Sequence, residues 1–312
     1  MQIATTWRSG STFLGDILLS HPATFYHYEP LINYQIHQIR DGFLASKAVQ
    51  VIESIFNCDY SNLGKQSQCL KTNQSDFILP FVGNFFDYAR RHLEALSHNE
   101  RLWSHCYGLN RQHCYNQEFL SQFCSLFPFQ SLKTVRLRLN LTRSLIENLN
   151  VQVLLLVRDP RGTLQSRKHR KWCPGQADCD EPERLCSDLV DDYYAAKELM
   201  AKFPNRIRVI RYEDFCEDIR SNARSLLHFF GFQMHPRVVN FIESHTHSDK
   251  GGVSSTFRDS KNAPYHWRHE LSLEEVLDIQ HKCDQALRLW GYKTASTSEE
   301  LQDLQPLLEY HI

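Results

Sequence analysis

The residues best suited to chemistry stand in one run near the front of the chain, Thr5-Thr6-Trp7-Arg8-Ser9-Gly10-Ser11-Thr12. It lies between Gln2-Ile3-Ala4-Thr5-Thr6, which reads as a first core strand, and a stretch with Phe13, Leu14, Ile17 and Leu18 on one helical face. Gly10 lets backbone approach a ligand closely. Amides at a helix start, several hydroxyls and the Arg8 guanidinium together make a cradle for an anion. A Walker A loop is excluded, since it needs Lys where Ser11 stands and an earlier glycine. The bland alternative is a polar turn that caps a helix.

A second constellation is Val157-Arg158-Asp159-Pro160-Arg161-Gly162, followed by Ser166. Arg158 leaves the C-terminal end of the strongest strand, where open α/β sheets place their ligands. Ser166 lies about two helical turns further on and can face the same crevice. An Arg and a Ser converging there suit a second phosphate. An Arg158–Asp159 surface pair that only caps the helix is the alternative. A third candidate is Glu29, between Tyr28 and Pro30. At the end of a core strand its carboxyl would be partly buried with a raised pKa, which suits a general base. A simple turn acid beside proline is the competing reading. The basic run Arg167-Lys168-His169-Arg170-Lys171 reads as a solvated helix face that could receive an anionic glycan. The scattered histidines, including His245, His247, His266 and His269, lack a third ligand at metal-binding spacing.

The elements that must hold these groups follow an α/β pattern. Residues 9–19 form a helix stopped at His21-Pro22. Residues 24–28 are aromatic and β-branched and form a strand. Residues 151–157 are continuously apolar, as a strand covered on both faces must be. Residues 207–212 form another strand, and a long helix over 185–203 lies between these two. That βαβ arrangement implies parallel strands. Residues 34–130 mix helix and loop, with 49–56 and 85–96 the best helices. Ser272-Leu273-Glu274-Glu275 is a capping box that opens a helix ending at Gly291. Residues 246–268 form a long loop carrying glycine and serine, a length that is usually functional or disordered.

The chain has 312 residues, and 35 basic against 36 acidic side chains leave a net charge of −1. No global positive field exists to coat a nucleic acid, so any basic patch is local. Composition is that of an ordinary globular protein, read as one domain over residues 1–312. No run of eighteen apolar residues or secretory signal occurs. A core strand starting at residue 2 leaves no lead-in, which points to a truncated front end. The sequons at Asn73 and Asn140 occur at a chance rate and carry no weight. Cys173, Cys179 and Cys186 lack zinc-site spacing, so a disulfide among them is the better reading and free thiols the alternative. A disulfide would imply an oxidising compartment.

Taken together these motifs resemble those of the Golgi carbohydrate 6-O-sulfotransferases, which act on galactose, GalNAc or GlcNAc. T-T-W-R-S-G-S-T-F-L-G resembles their 5′-phosphosulfate loop and V-R-D-P-R-G-T-L-Q-S-R their 3′-phosphate site, in the same order. Phe25-Tyr26-His27-Tyr28-Glu29-Pro30-Leu31, Arg211-Tyr212-Glu213-Asp214 and Thr256-Phe257-Arg258-Asp259-Ser260 with Trp267-Arg268 match further segments. The C-terminal stretch with Ser298-Glu299-Glu300-Leu301 is similar to the keratan sulfate galactose and chondroitin members.

The resemblance implies a P-loop-like sulfotransferase fold with a central parallel sheet flanked by helices. It implies 3′-phosphoadenosine-5′-phosphosulfate (PAPS) as donor and a glycan as acceptor, with no metal required. Thr6, Trp7, Arg8, Ser9, Gly10, Ser11 and Thr12 would hold the phosphosulfate, and Arg158 and Ser166 the 3′-phosphate. Tyr212 would serve the adenine region, Arg258 a donor-covering loop, and Glu29 would deprotonate the sugar 6-hydroxyl. It also implies a type II protein of the Golgi lumen, whose N-terminal anchor is not visible here. Two rivals are weaker. A P-loop kinase would need the missing loop lysine. A silent glycan-binding protein would tolerate loss of Arg8 or Glu29, and both are present.

Overall fold

The computed structural model describes residues 1–61, 116–246 and 261–312. The expected helix over 85–96, Asn73, His247 and the Thr256–Ser260 segment with Arg258 lie outside the described residues.

Five strands form one sheet: β1 (Gln2–Ala4), β2 (Thr24–Tyr28), β3 (Phe129–Thr134), β4 (Val153–Val157) and β5 (Ile207–Arg211). Their order is β2-β3-β1-β4-β5, and every pairing is parallel. β4 is apolar along its whole length because its alternate side chains enter two different cores. Val153, Leu155 and Val157 pack on one face with Leu164, Leu189 and Ala196. Leu154 and Leu156 pack on the other with Ile3, Leu14, Ile17 and Phe215. The flanking helices are therefore α1 (Ser11–Ser20) on one face and the long helix Pro182–Lys202 on the other.

The chain leaves β1 through α1 toward β2, on one side of the sheet. It leaves β4 through the helices Pro160–Lys168 and Pro182–Lys202 toward β5, on the other side. The winding thus reverses between the neighbours β1 and β4, and a crevice opens outside their C-terminal ends. Both anion-type motifs of the sequence start there.

β3 was not anticipated, because Gln130, Ser131, Lys133 and Thr134 interrupt its apolar pattern. Ser131, Lys133 and Thr134 are nonetheless buried. Each finds a partner: Ser131 Oγ donates to the Phe25 carbonyl at 3.4 Å, and Thr134 Oγ1 accepts from Gln2 Nε2 at 2.9 Å. Lys133 belongs to the site described below. The capping box is present, with Ser272 and Glu275 bonded reciprocally at 3.2 and 3.0 Å. The helix it opens does not run unbroken to Gly291. It stops at Lys282 and resumes as Asp284–Leu289, with Cys283 at the break. Gly291, at φ 67°, then turns the chain away.

Cys173 is bonded to Cys179, as one of the pairings open to the three clustered cysteines. Cys186 instead bridges 97 residues to Cys283, fastening the long helix to the break between the two C-terminal ones. Cys58–Cys124 is a third bridge, and Cys216 is a buried free thiol. Peptide mapping without reduction, on protein expressed through an oxidising secretory pathway, should therefore recover Cys173 linked to Cys179 and Cys186 linked to Cys283. Recovery of Cys186 joined to either loop cysteine would contradict this pairing.

Candidate functional site

The loop after β1 adopts a shape that ordinary residues avoid. Arg8 has φ 67° and Gly10 φ 87°. Gly10 caps α1 without a side-chain hydrogen bond, so no capping side chain occupies the first amides of the helix. Gly10 is required twice over. Its backbone is left-handed, and a Cβ there would lie 2.3 Å from Cε2 of the Tyr212 ring. What presses on Gly10 is thus a protein side chain, where the sequence suggested close approach of a ligand.

Neighbours fix this loop from several directions. The Thr5 hydroxyl lies 2.6 Å from the Leu156 carbonyl of β4 and 2.7 Å from the Ser9 hydroxyl. Arg158 Nη1 donates to the Arg8 carbonyl at 2.8 Å, and Arg8 Nε donates to Ser166 Oγ at 3.0 Å. Arg8, Arg158 and Ser166, proposed from separate motifs about 150 residues apart, therefore meet at one point. Arg158 also stands over the Tyr212 ring, 5.0 Å from its centroid. Tyr212 itself is buried, and burial pushes its hydroxyl well above the usual range. Among the described residues Arg158 Nε is buried with no hydrogen-bond partner, as is Trp7 Nε1.

Glu29 directly follows β2, at φ 43°, and its carboxylate is held by two cations. Lys133 Nζ lies 2.8 Å from Oε1, and Arg136 Nη1 lies 2.8 Å from Oε2. The expected raised pKa is corrected here. Burial does push the carboxyl up, but Lys133 and Arg136 outweigh it and hold Glu29 at about 2. Lys133 is 1% exposed, pairs in register with Tyr28 and lies 4.1 Å from that ring's centroid. It also donates to Thr12 Oγ1 at 3.2 Å, so one ammonium joins the carboxylate to the first turn of α1. Neither Lys133 nor Arg136 was singled out from sequence. The available signal was a lysine inside an otherwise buried segment, which demands a partner.

Only part of the basic run is solvated: Lys168, His169 and Lys171 are exposed, and Arg167 is not. The helix Pro160–Lys168 turns Arg167 inward, to 1% exposure. Lys168 pairs with Glu275, and His169 lies 3.0 Å from Glu270. The remaining matched segments act as supports. Arg161 pairs with Asp159 at 2.7 Å and stands over the buried Trp267, 4.2 Å from its ring centroid. Arg211 pairs with Asp214 at 2.7 Å and donates to the carbonyls of Trp290, Gly291 and Leu308. Glu213 accepts from the Asp159 amide at 3.1 Å and from the Tyr292 hydroxyl at 2.8 Å, and burial beside Asp159 raises it to about 7.

A left-handed loop at a helix start, ringed by Arg8, Arg158 and Lys133 at the reversal of a parallel sheet, defines a protein that binds a phosphorylated or sulfated ligand. The donor set fits such a group: guanidiniums, an ammonium, hydroxyls and helix amides, with Arg158 Nε unsatisfied. A profile described as the sulfotransferase family matches residues 2–236. Among curated proteins the chain is similar to carbohydrate sulfotransferase 5 of Homo sapiens, at 26% identity over 97% of this chain and 79% of that protein. It is also similar to carbohydrate sulfotransferase 4 of Mus musculus, at 28% identity over 97% of this chain and 84% of that protein. A similar solved structure is the sulfotransferase domain from the Synechococcus PCC 7002 olefin synthase, with TM-score 0.47 and 13% identity over 91% of this chain and 92% of that one. The chain belongs to the sulfotransferase family, and the protein is a sulfotransferase.

The Glu29 ion pairs have a direct stability consequence. The folded carboxyl titrates at about 2 and an unpaired one near 4.5, so the pairs stabilise the fold fully above pH 4.5. That contribution fades as pH falls from 4.5 toward 2. Melting temperature should therefore drop more steeply between pH 6 and pH 3 in the parent than in Glu29→Gln. Parallel curves for the two proteins would remove the ion pairs as the cause.

Proposed function

We propose that this sulfotransferase moves a sulfuryl group from PAPS to the 6-hydroxyl of a galactose, GalNAc or GlcNAc residue in a glycan, with Glu29 as general base. One observation carries the reading: Lys133 joins Glu29 to Thr12, so a carboxylate stands one side chain away from the anion loop. The carbohydrate sulfotransferases to which the chain is similar support a sugar acceptor, of the keratan, chondroitin or GlcNAc-terminated kind.

In this reading the loop from Thr6 to Thr12 holds the phosphosulfate, with Arg8 and the amides of Ser9 to Thr12 stabilising charge on the leaving phosphate. Arg158 and Ser166 hold the 3′-phosphate. The donor supplies an electrophilic sulfur, and the acceptor oxygen attacks it in line as the bond to the phosphate oxygen breaks. Glu29 accepts the hydroxyl proton. Tyr212 supports the adenine region through its packing on Gly10 and Arg158, and Arg258 belongs to a segment that would cover the donor.

Lys133 and Arg136 keep Glu29 ionised, and their field also makes it a poor base while the site is empty of donor. A polyanion beside Thr12 offsets that field and raises the basicity of Glu29. Base strength thus rises when the donor is bound. The disulfides suit an oxidising lumen, which with the resemblance supports a type II Golgi protein.

Labelled-sulfate transfer from PAPS to a panel of keratan, chondroitin and GlcNAc-terminated acceptors, with position mapping of the product, tests the proposal. Label should appear at a 6-hydroxyl. Adenosine 3′,5′-bisphosphate should raise the melting temperature, and ATP with magnesium should not. Glu29→Gln should keep that stabilisation while kcat falls about 100-fold or more. Arg8→Ala should weaken donor binding about tenfold or more and lower turnover with it. Normal turnover in Glu29→Gln would remove it from the base role.

A further inference from the structure

Arg167 is fully buried at the back of the donor loop, yet no carboxylate lies within ion-pair distance of it among the described residues. Its hydrogen bonds go to neutral oxygens. Nη2 donates to Thr6 Oγ1 at 2.7 Å, Nε to the Trp7 carbonyl at 3.2 Å, and Nη1 to the Cys179 carbonyl at 2.7 Å. The guanidinium also stands 5.7 Å from the centroid of the Trp7 ring. A buried cation without a paired anion is costly to hold. Burial lowers its pKa to about 9, with Asp188 working against that shift and Arg138 and Arg8 adding to it.

Two of the three acceptors belong to the donor loop itself. The third is the carbonyl of Cys179, in the short loop closed by Cys173–Cys179. That loop is fixed on its other side as well. Asp178 accepts from the Gln38 amide at 2.8 Å and from Arg40 at 2.9 Å, and Gln38 Nε2 donates back to Thr6 Oγ1 at 3.3 Å. The disulfide-closed loop, Arg167 and Gln38 therefore enclose Thr6 and Trp7.

We propose that Arg167 is a positioning residue for the donor: it fixes the Thr6–Trp7 backbone, leaves its charge to be balanced by the bound donor, and is itself held by the Cys173–Cys179 loop. The inference rests on the donor reading given under the proposed function. It predicts that breaking this disulfide weakens the donor site specifically, through the Cys179 carbonyl that holds Arg167.

The test compares Arg167→Gln, Arg167→Lys, the pair Cys173→Ser/Cys179→Ser and the pair Cys186→Ser/Cys283→Ser. Donor KM, acceptor KM and the melting-temperature rise produced by adenosine 3′,5′-bisphosphate are measured for each. Arg167→Gln and the Cys173/Cys179 pair should raise donor KM about tenfold with acceptor KM within about twofold. Arg167→Lys, which keeps charge without the fork, should fall between parent and Gln. The Cys186/Cys283 pair should lower the melting temperature yet leave donor KM within about twofold of the parent. If Arg167→Gln keeps parental donor KM, or if both disulfide pairs raise it equally, the positioning role is lost. Should Arg167→Gln fail to fold, the lysine variant and the Cys173/Cys179 pair decide alone. Absence of bisphosphate stabilisation in the parent would instead overturn the donor reading.

Discussion

The loop between β1 and α1 depends on backbone angles that side-chain-bearing residues resist. Arg8 at φ 67° costs about 1 kcal/mol or more, and such a conformation persists only where the surroundings over-determine it. The surroundings here do so from β4 and from the segment just after β5. β4 contributes the Leu156 carbonyl under Thr5 and, just past its end, Arg158 over the Arg8 carbonyl. β5 is followed directly by Tyr212, whose ring leaves room for a glycine at position 10 and nothing larger. The rest of the fold serves these contacts. Arg211, Asp214 and Glu213 lock the end of β5 to the C-terminal segment, and so fix Tyr212 and the Asp159 turn together.

Charge follows the same logic. A chain that is almost neutral overall gathers Arg8, Arg158, Lys133, Arg136 and Arg167 around one crevice, where the Glu29 carboxylate contacts Lys133 and Arg136. Several cations elsewhere are paired: Arg40 with Asp178 and Asp188, Arg138 with Asp188 and Asp192, Arg161 with Asp159. This local gathering of cations supports an anion site in the crevice. Net charge could not reveal it, because pairing depends on the fold.

Features set by short-range pattern were readable from sequence. α1, β2, β4 and the capping box at Ser272 needed only periodicity and local chemistry. β3 was not readable, because its buried polar groups are satisfied by Gln2, Phe25 and Glu29, all about 100 or more residues away. The sign of the Glu29 shift failed for the same reason. Burial alone argues for a raised pKa, and the cations that reverse it come from β3 and its extension. Arg167 was grouped with its charged neighbours as a solvated face, whereas the helix Pro160–Lys168 ends at the next residue and turns it under the donor loop. Cys186 was placed with its near neighbours, while its partner lay at the break between two C-terminal helices.

These corrections bear on how a strongly ionised carboxylate can serve as a base. A carboxyl with a raised pKa would be protonated for part of the time and would then be unable to accept a proton. Glu29 is instead held charged across the whole neutral range by Lys133 and Arg136. What it lacks is basicity, and the deficit is electrostatic, set by two cations that also face the donor loop through Thr12 and Trp7. An anion placed at that loop competes with Glu29 for the same positive field. The two requirements, a charged acceptor at rest and a stronger base at the moment of transfer, are then met by one arrangement. The geometry that makes this possible is the parallel register of β2 with β3, which sets Lys133 beside Tyr28 and within reach of both Glu29 and α1.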